Sequence, residues 1–136
     1  MDIIYPSKNI YIASSKISGL GVFAQKKISK GEVIEESPVI VIPEEQLSDL
    51  AKTRLIDYAF FAWGNDHNSA AIVLGHGSLF NHSYKSNAKY IIVADENLIR
   101  FMAVEDIKKD EEIVMNYNGK TGDKTKLWFE AREELV

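Results

Sequence analysis

The feature that most constrains this chain is the shortness of its β-favouring runs. Val22-Phe23-Ala24, Val33-Ile34, Val39-Ile40-Val41-Ile42, Tyr90 to Ala94, Leu98 to Val104 and Ile113 to Met115 are rich in β-branched or aromatic residues. They are separated by clusters of Gly, Pro, Asn, Asp or Lys, which break strands and make turns. Tyr11 to Ala13 and Ala71 to Leu74 read as two further short strands, and Asp95-Glu96-Asn97 reads as the turn of a hairpin. Helical signals are fewer. Pro43-Glu44-Glu45 places acidic residues where a helix begins, which predicts a helix to about Arg54, and Lys126 to Leu135 reads as a second helix. Asp57 to Trp63 fits helix or strand. Gly64 to Ser69, Gly75 to Ser86, Lys108 to Glu111 and Thr121 to Asp123 read as loops or turns. Strand and helix do not alternate, which argues against a doubly wound sheet and for a mainly β domain of several small twisted sheets with two or three short helices.

The length of 136 residues suits one domain. No apolar run approaches the ~18 residues that span a bilayer, so no membrane association is expected. Met1-Asp2-Ile3-Ile4-Tyr5-Pro6 lacks the basic start and apolar stretch of a signal peptide, so an intracellular protein, not a secreted one, is expected. The absence of cysteine excludes disulfide staples and Cys-based zinc sites. His67, His76 and His82 follow no metal-ligand spacing, so no metal is expected. Sixteen basic against twenty acidic residues give a net charge of −4, which argues against a protein whose main task is to grip nucleic acid.

Three segments carry candidate chemistry. Gly19-Leu20-Gly21-Val22-Phe23-Ala24 matches a dinucleotide-binding pattern, but Ser14-Ser15-Lys16 is no buried strand and the residues after it do not open a helix. It reads either as a plain β-turn or as a glycine loop that lets backbone approach a ligand. Asn81-His82-Ser83 follows the apolar pair Leu79-Phe80, with Asn87 four residues after Ser83. It reads as a hydrogen-bonded structural turn or as a polar site; a serine hydrolase would need a G-x-S-x-G elbow, which the chain lacks. Glu111-Glu112-Ile113-Val114-Met115-Asn116-Tyr117 ends a strand on a tyrosine, which by itself is most often core or interface.

In this order and spacing the three segments resemble the SET-domain protein lysine methyltransferases. Ser18 to Ala24 is similar to the family's Gly-x-Gly loop, and Lys30-Gly31-Glu32-Val33-Ile34 to its next turn and strand. Asn81-His82-Ser83-Tyr84-Lys85-Ser86-Asn87 resembles its N-H-[SC]-x-x-x-N signature, and Asp110 to Tyr117 its closing [GD]-E-E-[LI]-x-x-x-Y motif. The likeness runs from about Ile10 to Tyr117. The chain departs from the family in lacking both the proline before Asn87 and the cysteine-rich zinc segments.

The resemblance implies a β-clip whose C-terminal segment threads under a loop as a pseudoknot. It implies S-adenosylmethionine as cofactor and a lysine entering from the opposite face. Gly19, Leu20, Gly21 and Asn81 are expected to bind the methionine part of the cofactor, and His82 its adenine edge through backbone. Tyr117 is the expected catalytic residue. Tyr90 and Tyr58 are candidates for the lysine channel. Residues 1–119 would form the SET core and residues 120–136 a lid of the same domain, with Trp128 over the adenine and Phe129 beside the channel; a plain amphipathic helix packed on the core is the competing reading. The expected partner is a protein carrying the target lysine, such as a basic chromatin or ribosomal protein, in the cytoplasm or, in a eukaryote, the nucleus. Phe60, Phe61 and Trp63 are candidates for a homodimer contact. The competing function is a catalytically inactive SET-like module that holds a basic partner.

Overall fold

The computed structural model describes residues 3–58, 61–64, 68–119 and 124. Nine strands among these residues carry the fold. β1 (Ile10–Ser14) and β2 (Leu20–Ala24) form an antiparallel hairpin around the glycine loop, in register from Ile10 opposite Ala24 to Ser14 opposite Leu20. β3 (Val33–Ile42) is followed by β4 (Phe61–Trp63), β5 (Ser69–Val73), the two-residue β6 (Asn81–His82), β7 (Ala88–Val93), β8 (Leu98–Ala103) and β9 (Glu112–Met115). They lie in the order β1-β2-β9-β7-β8-β3-β5-β4, with β6 also paired to β9.

The two runs Val33-Ile34 and Val39 to Ile42 belong to one ten-residue strand that continues through Pro38. Proline has no N–H to give a ladder. It is tolerated because β3 changes partner there: Val33 to Pro38 pair with β8, and Val39 to Ile42 pair with β5. The hairpin expected at Asp95-Glu96-Asn97 joins β7 and β8, with Asn97 in the left-handed region at φ 51°.

The single helix expected to about Arg54 is instead broken. A 3-10 turn at Glu44–Gln46 leads into the four-residue α1 (Leu47–Leu50), and a second 3-10 turn follows at Arg54–Tyr58. Neither Pro43 nor Gln46 caps with its side chain. At the other end Thr53 ends the helix: its hydroxyl donates to the Leu50 carbonyl at 2.8 Å and accepts from the Leu55 N–H at 3.3 Å. The ambiguous run from Asp57 to Trp63 thus contains both the end of a 3-10 turn and β4. The second expected helix, Lys126 to Leu135, lies outside the described residues.

The core is continuous under this surface. Val22, Ile28, Phe80, Ile99, Phe101, Ile107, Ile113 and Met115 are fully buried. Phe80 and Phe101 pack with ring centroids 4.6 Å apart, and burying one such ring is worth ~2 kcal/mol. Leu79-Phe80 therefore pins the polar turn that precedes β6.

β9 holds the architecture together. Along one edge it pairs with β2 and then, in parallel, with β6. On its other edge Ala88 of β7 lies opposite Met115. The Met115 carbonyl accepts from the Ser83 N–H at 3.1 Å, and the Val114 carbonyl accepts from the Asn87 N–H at 3.1 Å. Residues 83–87 thus cross over β9 from one edge to the other, which is the threaded arrangement of the pseudoknot. Asn87 locks it with its side chain, accepting from the Val114 N–H at 2.9 Å and donating to the Glu112 carbonyl at 2.9 Å.

Candidate functional site

The glycine loop is built by position-specific demands. The Ser15 N–H donates to the Gly19 carbonyl at 2.8 Å, closing the turn, and Gly19 sits at φ 48° with open space where a Cβ would stand. Gly21 is required for a different reason. A Cβ there would lie 2.6 Å from Glu112 Oε2 and 3.0 Å from the Ser15 Cβ. Glycine permits both the backbone angle and the close approach.

Asn81 reaches across to this loop. Its side-chain amide donates to the carbonyls of Ser18 and Leu20, both at 3.1 Å, and to Glu112 Oε2 at 2.9 Å. The parallel pairing of Asn81 with Val114 sets the side chain in place. Glu112 in turn accepts from the Ser15 hydroxyl, at 2.8 Å on Oε1 and 3.0 Å on Oε2.

Tyr117 stands just beyond β9. Its hydroxyl donates to the Phe80 carbonyl at 2.5 Å, and its backbone N–H donates to His82 Nδ1 at 3.1 Å. That bond makes Nδ1 the acceptor, so the His82 ring supports the tyrosine from beneath, with ring centroids 5.2 Å apart. Tyr84 packs edge-on against the same imidazole at 4.4 Å. Burial, and then the charge of Glu112, push the Tyr117 phenol up to about 12. Tyr90 donates its hydroxyl to the Tyr117 carbonyl at 3.2 Å, and burial pushes its pKa up as well. Gly119 leaves room for that contact, since a Cβ there would lie 2.8 Å from the Tyr90 hydroxyl oxygen.

Asn81, Tyr117 and the glycine loop border a cleft of about 240 Å3. Ser18, Gly19 and Leu20 form one wall, Ser78, Leu79 and Asn81 another, and Tyr58 and Tyr117 complete the lining. Of the residues singled out in the sequence, Gly19, Leu20, Asn81, Tyr58 and Tyr117 meet at one place. Gly21 lies behind the wall, His82 lies under Tyr117, and Tyr90 is tied to the backbone of Tyr117. Trp128 and Phe129 lie outside the described residues. The sequence reading assigns no role to Glu112, Ser15 or the Phe80 carbonyl. A glutamate facing a Gly-x-Gly loop is the signal that marks Glu112, but it becomes visible only once β2 and β9 are known to pair.

A second polar cluster lies at the far end of the same turn. Glu35 is buried, and its carboxylate meets His76 Nδ1 at 2.7 Å, the His76 N–H at 3.0 Å and the Ser37 hydroxyl at 2.6 Å. Among the described residues no group of His, Cys, Asp and Glu could hold a metal ion, and no helix is long and apolar enough to cross a membrane.

A small β domain with a threaded C-terminal strand, a glycine loop and an Asn-His turn at one cleft is the arrangement of a SET domain. The family profile described as SET domain matches residues 19–118. A Schizosaccharomyces pombe relative, the histone-lysine N-methyltransferase specific for H3 lysine-37, is 30% identical over 119 residues, covering 88% of this chain and 76% of that protein. A crystal structure of a Plasmodium falciparum chain assigned as a histone methyltransferase superposes with a TM-score of 0.67 at 31% identity, over 93% of this chain and 99% of that one. Polycomb Repressive Complex 2 of Chaetomium thermophilum shares the fold, with a TM-score of 0.70 at 23% identity over 86% of this chain and 16% of that one. The chain belongs to the SET-domain family, whose enzymes methylate protein lysines with S-adenosylmethionine as donor.

Proposed function

We propose that this chain transfers a methyl group from S-adenosylmethionine to a lysine of a basic, histone-like protein, with Tyr117 beside the reacting amine. The observation that carries this reading is the convergence of the glycine loop, Asn81 and Tyr117 on one cleft. The related Schizosaccharomyces pombe protein is named for a histone lysine, and the net charge of −4 suits a basic partner. A chromatin-like substrate would set the reaction inside the cell.

The chain's own groups fit such a donor. Gly19 leaves open space on the cleft side, where backbone can approach the methionine end. Asn81 commits its amide N–H groups to Ser18, Leu20 and Glu112; its carbonyl oxygen is the atom that accepts from an ammonium group. His82 supports Tyr117 with its ring, and its backbone is the part that meets the adenine. When bound, the donor supplies an electrophilic methyl group on a cationic sulfur.

Tyr117 is not a base in this reading. A phenol pushed up to about 12 stays protonated at neutral pH, so its work is orientation. Its hydrogen points to the Phe80 carbonyl, so its oxygen accepts an N–H of the incoming amine. That directs the amine lone pair toward the methyl group. The lysine gives its proton to solvent water before transfer, because a low-dielectric channel and a nearby cation both disfavour an ammonium. Tyr58 borders the entry, and Tyr90 fixes the Tyr117 backbone. Trp128 and Phe129 are proposed to close the two ends.

The test is transfer of label from S-adenosylmethionine to a panel of basic proteins, histones included. Acid-stable methyl-lysine in at least one protein is expected. Donor binding without transfer to any of them would overturn the enzyme in favour of a binding module.

A further inference from the structure

The strand that delivers Tyr117 begins with a carboxylate that the proposed reaction leaves unused. Glu112 is half-buried, and the partners of its carboxylate are the Ser15 hydroxyl and the Asn81 amide. Both are neutral. Among the described residues no Lys, Arg or His lies within ion-pair distance of it. Gly21 has been kept free of a side chain so that Oε2 can stand against the loop, 2.6 Å from where a Cβ would be. The fold thus makes room for this charge and places it directly behind Asn81, a cleft-lining residue.

A half-buried charge held only by neutral donors keeps an unmet preference for a cation. The cleft lies on the other side of Asn81, so a cation held there comes within the reach of this charge. Resting on the methyl-transfer reading above, we infer that Glu112 is a specificity-determining residue for the donor: its negative charge favours the cationic S-adenosylmethionine over the neutral product S-adenosylhomocysteine. The two molecules share the ammonium group that Asn81 meets, which draws on Glu112 equally in both, and differ by one methyl group and by the positive charge on sulfur. A fixed negative charge near the cleft holds the first more tightly and loosens its grip once the methyl group has left. The field of Glu112 reaches the cleft, since after burial its charge is the second cause that raises the phenol of Tyr117, a lining residue.

A purely mechanical role would be to clasp the glycine loop to Asn81. Charge and clasp are separable, because glutamine at this position keeps the shape and an acceptor oxygen while removing the charge. Calorimetric titration of donor and product into wild-type, E112Q and E112D proteins decides. In E112Q both molecules lose the attraction on their common ammonium, and the donor is expected to lose about tenfold more affinity than the product. E112D, which keeps the charge on a shorter arm, should retain the preference for donor. Equal loss for both molecules, or no loss for either, overturns the inference and leaves the methyl-transfer reading standing. Wild-type protein that binds neither molecule overturns that reading, and the inference falls with it. Should E112Q fail to fold by circular dichroism, the wild-type preference decides: product bound as tightly as donor overturns the proposal.

Discussion

Two glutamates hold two of the glycine-bearing turns of this molecule, and they are held differently. Glu35 of β3 grips the turn through His76 with one imidazole contact, one backbone N–H and the Ser37 hydroxyl. Its surroundings are closed: a Cβ on Gly77 would lie 2.3 Å from Val73 Cγ1 and 2.9 Å from Phe101 Cε2. Glu112 of β9 grips the turn through Gly19 to Gly21 with two neutral side chains and stands behind Asn81, which lines an open cleft. A buried carboxylate needs its bonds satisfied. At Glu35 the protein supplies a histidine that can carry the opposite charge; at Glu112 it leaves that place to a ligand. One turn is therefore fastened for stability and the other for binding, and between them runs Phe80, whose buried ring fixes the carbonyl that receives the Tyr117 hydroxyl.

The largest expected effect tests the end of that chain of contacts. Tyr117→Phe keeps the ring against His82 and removes the hydroxyl that reaches Phe80. Methyl transfer should fall by about a hundredfold or more, the scale on which lost alignment acts, while donor affinity stays within about threefold. Steady-state rates with calorimetry separate the two. A variant that turns over at the wild-type rate removes Tyr117 from the reaction.

Alanine at the two tight glycines sharpens the contrast between the turns. Gly77→Ala drives a methyl group into Val73, Ser37 and Phe101. Overpacking of this kind costs about 2 kcal/mol, a fall in Tm of about 6 °C. Gly21→Ala meets chiefly the movable end of the Glu112 side chain, so it should cost less than about 1 kcal/mol yet weaken donor binding. Thermal melts paired with donor titration read both. Equal loss of stability in the two variants would erase the distinction.

Alkaline pH gives a smaller effect with a definite sign. The Tyr117 phenol is raised from its ordinary value near 10 to about 12 in the folded protein. A raised value means that the folded state holds this proton more tightly. Its contribution is complete below pH 10 and is lost as pH rises through about 12. Two units correspond to about 2 kcal/mol after allowance for partial exposure. Unfolding free energies of wild-type and Tyr117→Phe proteins should converge between those limits, and parallel curves would contradict the burial of the phenol.

The fold class and the cleft were legible because the signals are local. The Gly-x-Gly loop, Asn81-His82 and the tyrosine after Ile113 to Met115 are short stretches whose chemistry stands in consecutive residues. What was not legible depends on pairing across the chain. Glu112 meets Asn81 only because β6 runs parallel to β9, and Glu35 meets His76 across 41 positions. The helix beyond Leu50 failed for another reason: Thr53 offered the backbone a competing hydrogen bond that an acidic first turn could not outweigh. Tyr90, expected in the lysine channel, does not line the cleft; its hydroxyl donates to the Tyr117 carbonyl.

The last and smallest expected effect concerns what covers the cleft. Among the described residues its walls come from the glycine loop, the turn before β6, Tyr58 and Tyr117. A reaction between an amine and a sulfonium needs water kept out, because water screens charge and loosens alignment. The chain has no cysteine with which to build a zinc-bound cover. After Tyr117 the sequence offers one aromatic pair, Trp128-Phe129, and an indole over the adenine would supply apolar cover and stacking together. Stacking of a base on an aromatic side chain is worth about 1 kcal/mol at its lower end, so Trp128→Ala should weaken donor binding by several-fold and leave Tm nearly unchanged. If Trp128 instead packs as core, the same substitution lowers Tm by several degrees and leaves donor affinity alone. The fluorescence of Trp128, followed on adding donor in a Trp63→Phe background, distinguishes the two independently: a quench or shift supports the cover, and an unchanged spectrum refutes it.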